Sequence, residues 1–231
     1  PAVAVRDEVQ RGVHGRPAHC LHALKSEMAS KRTLALEAIQ VDQDIVRETV
    51  GIQDHVSSAF GGLNRIDVNG TRSDFRVTPI PLDAARLKLF RQYLMLFFTG
   101  KTRHASEVAA RQVARFENNI QTLERMAAMV GEGQEMLMAG KFRDFGLLLE
   151  DAWQLKRNLG ASSDVVDAIH DSALKAGALG AKLLGAGEGG FMLVAAEPEV
   201  HGKIEEALSG LLRVPFEFEA LGSQIIYYSE D

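Results

Sequence analysis

The run Gly185-Ala186-Gly187-Glu188-Gly189-Gly190 lies between two apolar segments. Glycine lets a backbone approach an anion closely, and successive N–H groups can line a concave anion nest. A tight hairpin between two buried strands wants the same residues, so the run by itself leaves both readings open. It is not a phosphate loop of the Gly-Lys-Ser/Thr type, because no such triplet follows, and it does not open a helix with an acidic residue at dinucleotide-fold spacing. Asp54, in Val50-Gly51-Ile52-Gln53-Asp54-His55, stands at the start of a short helical pattern beside a glycine break. A carboxylate held there is suited to general-base work, and it is equally a carboxylate that the helix dipole favours. Asp42, Asp44 and Glu48 lie six to twelve residues earlier; they are oxygen donors for Mg²⁺ or simply a solvated acidic face. Arg103 in Thr99-Gly100-Lys101-Thr102-Arg103-His104, and Lys156 just after Trp153, are anion contacts or ordinary basic ends of elements. His55 and His104 have no partner at metal-ligand spacing, and no Ser-His-Asp arrangement is visible.

Positioning these groups requires elements that the pattern partly predicts. Pro1 to Cys20 show neither helical nor strand period, so no element is predicted there. Leu24, Met28, Leu34, Ala35, Ala38, Ile39 and Val41 suggest two short helices that break near Ser30-Lys31, and Gln53 to Phe60 suggest another, closed by Gly61-Gly62. Leu63 to Val68 and Phe75 to Ile80 read as strands around Asn69-Gly70, and Pro79 and Pro81 mark a boundary near Leu82. Leu89 to Thr99 reads as a buried strand. A long helix follows with Ala109, Val113, Phe116, Ile120, Leu123, Ala127 and Val130 against a core. Phe142 to Leu159 is a second, with Phe145, Leu148, Leu149, Ala152 and Leu155 inward, and Ser163-Asp164 cap a third that reaches Lys175. Leu179 to Leu184 and Phe191 to Ala196 read as strands, Val200 to Leu211 as a helix, and Pro215 to Phe218 and Ser223 to Tyr228 as further strands. The fold class expected is α+β, an antiparallel sheet with helices on one face.

Composition narrows the functional classes. With 26 basic and 31 acidic residues among 231, the formal net charge is −5, which is no footprint for a phosphate backbone, so no nucleic-acid partner is expected. One cysteine, Cys20, excludes an intramolecular disulfide and a cysteine zinc site. The apolar runs are too short to span a bilayer and no charged-then-apolar leader opens the chain, so the expectation is a soluble cytoplasmic protein with no membrane partner.

Taken together, the motifs resemble a known family. Gly180-Ala181-Lys182-Leu183-Leu184 running into the glycine cluster and Phe191-Met192-Leu193 resembles the third motif of the GHMP kinases. Val50 to His55 followed by Ala59-Phe60-Gly61-Gly62 is similar to that superfamily's segment with the catalytic aspartate. Phe98 to Arg103, Ala152 to Arg157 and Val214 to Glu219 resemble the branch that acts on heptose 7-phosphate, and the likeness covers roughly Leu21 to Asp231. The resemblance implies the tail of a domain like ribosomal protein S5 domain 2 over Leu21 to Leu82 and a ferredoxin-like domain from Asp83 onward. It also implies transfer of the γ-phosphoryl of ATP to the anomeric hydroxyl of heptose 7-phosphate, for lipopolysaccharide-type sugars. Galactokinase-like and fucokinase-like enzymes, or a remnant that binds a phosphosugar without catalysis, are the alternatives. By position Asp54 would be the base or charge partner of the attacking hydroxyl. Asp42 would stand where relatives carry a Mg²⁺-binding glutamate, and Gly185 to Gly190, Arg103 and Lys156 would face substrate or phosphate. A homodimer is allowed.

The family's first motif and its phosphate loop are expected before Leu21, and Pro1 to about His19 do not resemble them. Codons permitted by Val5 to Gly12, read one base later, spell Ser-Gly-Met-Arg-Ser-Ser-Ala, close to that loop. A frameshift near Cys20 is therefore expected, with this chain an inactive fragment that restored upstream sequence would reactivate.

Overall fold

The computed structural model describes residues 15–100, 109–110, 113–185 and 187–225, with side chains from Cys20 onward. Two compact units result: the residues up to Ile80 together with those from Phe218, and Pro81 to Glu217.

In the first unit, Ser30 accepts a hydrogen bond from the Thr33 N–H and so starts a helix. That helix, α2 (Lys31–Gln40), follows α1 (Gly15–Leu24) and precedes α3 (Gln53–Phe60). The start of α1 corrects the expectation of no element before Cys20. The spacing of Leu34, Ala35, Ala38 and Ile39 puts them on one face of α2, where they are buried. Leu34, Ala35 and Ile39 pack with Val56 and Ala59 of α3 and Phe75. Between α2 and α3 the helix widens into a π-helical turn, Val41–Val46, and ends at Arg47 in the left-handed conformation, φ 63°. Strands β1 (Asn64–Val68) and β2 (Phe75–Pro79) pair antiparallel with Ile66 opposite Val77. Their connection is longer than a two-residue Asn-Gly turn, closing with the Asn69 N–H donating to the Asp74 carbonyl.

The second unit opens with α4 (Ala84–Gln92), capped by Asp83, whose side chain accepts from the Arg86 N–H. Strand β3 (Leu94–Phe98) follows. The single strand expected over Leu89 to Thr99 is thus a helix end plus a shorter strand. Then come α5 (Ile120–Ala139), α6 (Phe142–Asn158), α7 (Asp164–Lys175), β4 (Gly180–Leu183), β5 (Phe191–Ala195), α8 (His201–Ala207) and β6 (Leu212–Arg213). The sheet order is β4-β5-β3-β6, antiparallel throughout. Alternation sends Met95, Phe97, Ala181, Leu183, Met192 and Val194 into one core with Trp153, Val166, Ile169, Ala173, Ile204 and Leu208. The α+β expectation holds.

Two further expectations are corrected. The stripe Val113, Phe116, Ile120 and Val130 has helical period, yet all four side chains are exposed, and α5 buries Met129, Gly133 and Leu137 instead. Pro215 to Phe218 form no strand: pairing with β3 ends when the Val214 N–H donates to the Leu96 carbonyl, and Pro215 has no N–H to continue the ladder. Ser163 occupies the cap position of α7 as expected, but its side chain makes no capping bond.

Helix α6 can lie close on β4 because glycines meet there. A Cβ on Gly180 would fall 2.4 Å from the Gly146 carbonyl oxygen. Beside this contact, buried His170 of α7 reaches both oxygens of Glu150 on α6 at 2.9 Å. Glu150 also accepts from the Ala181 N–H of β4 at 3.2 Å, so one carboxylate ties three elements together. Among the described residues, no helix is long and apolar enough to cross a membrane.

Candidate functional site

Asp54 sits in the first turn of α3 and is exposed. Its neighbour His55 is turned about 100° round the helix and is buried. His55 is 2% exposed, as is Asp42, and its Nε2 lies 2.7 Å from Asp42 Oδ2. The next residues of the π-helical turn are also engaged. Gln43 Nε2 donates to the Val50 carbonyl at 2.7 Å, and Asp44 takes both Arg72 guanidinium nitrogens, at 2.7 and 2.5 Å. That charge pair holds the Asp44 carboxyl below its usual range, first through the hydrogen bonds from Arg72. The first unit therefore presents Asp54 on a short helix whose underside is bolted to the turn before it.

In the second unit Gly185 to Gly190 form the connection between β4 and β5. Gly185, Gly187 and Gly190 take positive φ, as does Glu188 at 61°. A Cβ on Gly187 would stand 2.6 Å from the Ala161 carbonyl oxygen, so the loop is pressed against the α6–α7 connection. The Glu188 N–H donates to that same carbonyl at 2.9 Å. At the other end, buried Thr99 grips Gly190. Its N–H and hydroxyl donate to the Gly190 carbonyl at 2.9 and 3.0 Å, and its Oγ1 accepts from the Gly190 N–H at 3.1 Å. Lys156, in the last turn of α6, donates to the Gly185 carbonyl at 2.5 Å. The N–H groups of Glu188 and Gly190 are thus committed within the protein, as a close-packed hairpin requires. Arg103 and Ala186 lie outside the described residues.

The left-handed backbone at Glu188 carries a testable cost. An L residue loses about 1 kcal/mol or more there relative to glycine, offset partly by glycine's extra freedom when unfolded. Glu188→Gly is expected to raise stability by up to about 1 kcal/mol in urea unfolding. A loss of stability instead would mean that the Glu188 side chain outweighs the backbone strain.

Residues 134–212 match the family model described as GHMP kinases C terminal. That stretch is similar to the C-terminal domain of GHMP kinases. The chain's curated relatives include the bifunctional fucokinase/GDP-fucose pyrophosphorylase of Arabidopsis thaliana, 27% identical over 168 residues, which is 68% of this chain and 16% of that protein. The D-glycero-alpha-D-manno-heptose 7-phosphate kinase of Campylobacter jejuni is 28% identical over 181 residues, 74% of this chain and 53% of that protein. The chain spans about half the length of the second and less of the first. Among solved structures, the D-glycero-D-manno-heptose 1-phosphate kinase of Bacteroides thetaiotaomicron superposes with a TM-score of 0.70 at 19% identity, covering 90% of this chain and 60% of that one. At that identity the likeness is one of fold.

Sequence reasoning placed Asp54 on its helix but missed the partners around the site. Asp42 and His55 are thirteen residues apart in different elements, so no single-helix spacing pairs them. Thr99 offered a weak signal, a hydroxyl residue closing an apolar run. The donor set expected for Mg²⁺ does not fit that ion. Mg²⁺ needs several oxygen ligands in an octahedral shell, whereas Asp42 is buried with Oδ2 on an imidazole and both Asp44 oxygens are held by arginine, which leaves exposed Glu48 as the one donor of the three without such a tie described. No group of three or more His, Cys, Asp or Glu able to hold a metal occurs among the described residues.

Proposed function

We propose that this chain is part of a cytoplasmic, ATP-dependent sugar-phosphate kinase acting on the anomeric hydroxyl of D-glycero-D-manno-heptose 7-phosphate, on the way to lipopolysaccharide sugars. The observation that carries the reading is the 28% identity to a heptose 7-phosphate kinase across 74% of the chain. The exposed carboxylate of Asp54, on a helix secured from behind, supports it. In the proposed step the anomeric oxygen attacks the γ-phosphorus and its proton passes to Asp54. The bond from the γ-phosphorus to the bridging oxygen breaks, and ADP leaves. Such transfer depends on alignment and charge stabilisation more than on covalent help from the protein. ATP would bring Mg²⁺ to this reaction, with Asp42 Oδ2 engaged by His55 and both Asp44 oxygens by Arg72.

The likeness to the Arabidopsis fucokinase supports a second reading, a kinase for an unphosphorylated hexose. A panel of heptose 7-phosphate, fucose and galactose separates them. A site built to hydrogen-bond the 7-phosphate rejects sugars lacking it strongly, so kcat/KM for heptose 7-phosphate is expected to exceed the others by about 10² or more. Higher kcat/KM for fucose would replace the first reading with the second.

A further inference from the structure

We infer that Asp42 is a positioning residue: its carboxylate holds His55, and through His55 the first turn of the helix that presents Asp54, instead of ligating a cation. The contact is short and dry, 2.7 Å between side chains that are each 2% exposed. The peptide between them is closed by the same turn. The Glu48 N–H donates to the Asp42 carbonyl at 2.9 Å, and Gln43 reaches the Val50 carbonyl. Asp44 is anchored from the β1–β2 connection by Arg72. Three consecutive residues of the π-helical turn thus make three different ties, and the tie from Asp42 goes to α3 itself. Because His55 and Asp54 are adjacent on a helix, fixing His55 inward fixes the azimuth at which Asp54 points outward. A cation that took Oδ2 of Asp42 would displace the imidazole, and a cation at either oxygen would have to reach a carboxylate that is 2% exposed. The positioning role rests on the kinase reading in one respect, that Asp54 has a substrate; the pairing does not.

The test has two arms. In the first, the imidazole N–H proton of His55 is followed by NMR in the chain itself. It is expected to stay sharp and unshifted on adding Mg²⁺, to escape selective broadening by Mn²⁺, and to vanish in Asp42→Ala. Selective broadening of His55 by Mn²⁺ would overturn the pairing and restore Asp42 as a ligand. In the second arm, kinetics of the enzyme containing this chain compare Asp42→Ala with Asp42→Asn, whose amide oxygen still accepts from His55. Misplacing a catalytic group by about 1 Å costs about 10² in rate. Asp42→Ala is therefore expected to lose about that much kcat with little change in sugar KM, and Asp42→Asn to recover most of it at an unchanged Mg²⁺ requirement. A raised Mg²⁺ requirement in Asp42→Asn, or a folded Asp42→Ala with undiminished kcat, would sink the positioning role. Absence of sugar phosphorylation alongside a cation-insensitive His55 signal would strike the kinase reading and leave the pairing standing.

Discussion

Asp54→Ala is expected to lower kcat of the enzyme containing this chain by about 10² or more, the scale of a positioned acid/base group. In barrier terms that is about 2.7 kcal/mol. The sugar KM should move by less than about threefold, because a base that matters as charge develops contributes little to ground-state binding. The position favours a clean result. Asp54 is exposed in the first turn of α3, while the buried face of that helix consists of His55, Val56 and Ala59. Removing its carboxyl leaves the packing with Leu34, Ala35 and Ile39 untouched. Asp54→Asn keeps the shape and loses the basicity, so it should fall with alanine. Steady-state ADP release checks both variants. If Asn retained turnover, or if the loss appeared in KM alone, Asp54 would be a binding residue and the proton would go elsewhere.

How far the residues announce this arrangement depends on how local its causes are. Helix α2 was legible because its cap, Ser30, and its apolar face lie within one stretch of chain. The start of α3 was legible from its own short apolar face and the glycine break before it, although Ile52 at its cap position makes no side-chain capping bond, and Asp54 stands in its first turn. Helix α4 was misread because Leu87, Leu89 and Phe90 run into Leu94 to Phe98 as one apolar series. Asp83, three residues before the Arg86 N–H that it caps, was the signal that could have divided them. The α5 stripe shows the converse. Period identifies a helix, but only tertiary packing decides that Met129, Gly133 and Leu137 face inward. The Asp42–His55 pair depends on a π-helical turn and a reversal of the chain, both set by contacts distant in sequence. A carboxylate and an imidazole that read separately as a cation donor and a lone histidine turn out to be joined by a buried hydrogen bond.

Stability should depend on pH through Glu150 and His170, and the sign follows from the two shifts. For Glu150, burial pushes the pKa up, but hydrogen bonds from His170, Gln154 and the Ala181 N–H outweigh it and leave the pKa below the ordinary 4.5. Its contribution is present above that value and is lost as pH falls through the lowered one. For His170, burial pushes the pKa down, yet hydrogen bonds to Glu150 and Asp171 outweigh that and raise it above the ordinary 6.5. Its contribution is complete below 6.5 and drains away as pH rises through the raised value. The brace joining α6, α7 and β4 is therefore strongest between 4.5 and 6.5. Breaking a buried pair by deleting one partner costs about 3–5 kcal/mol. His170→Ala should fall at or just below the low end, about 2–3 kcal/mol, because Gln154 and the Ala181 N–H still serve Glu150. Trp153, the chain's single tryptophan, is fully buried with its ring centroid 6.4 Å from that of His170, so its fluorescence reports unfolding of this unit. Urea unfolding across the weakly acid to weakly alkaline range should show stability declining on the alkaline side in the parent and a flatter profile in His170→Ala. Equal slopes in the two proteins would show that the decline comes from other groups. A penalty well under about 1 kcal/mol, the scale of an exposed ion pair, would mean that solvent already shares the Glu150 carboxylate.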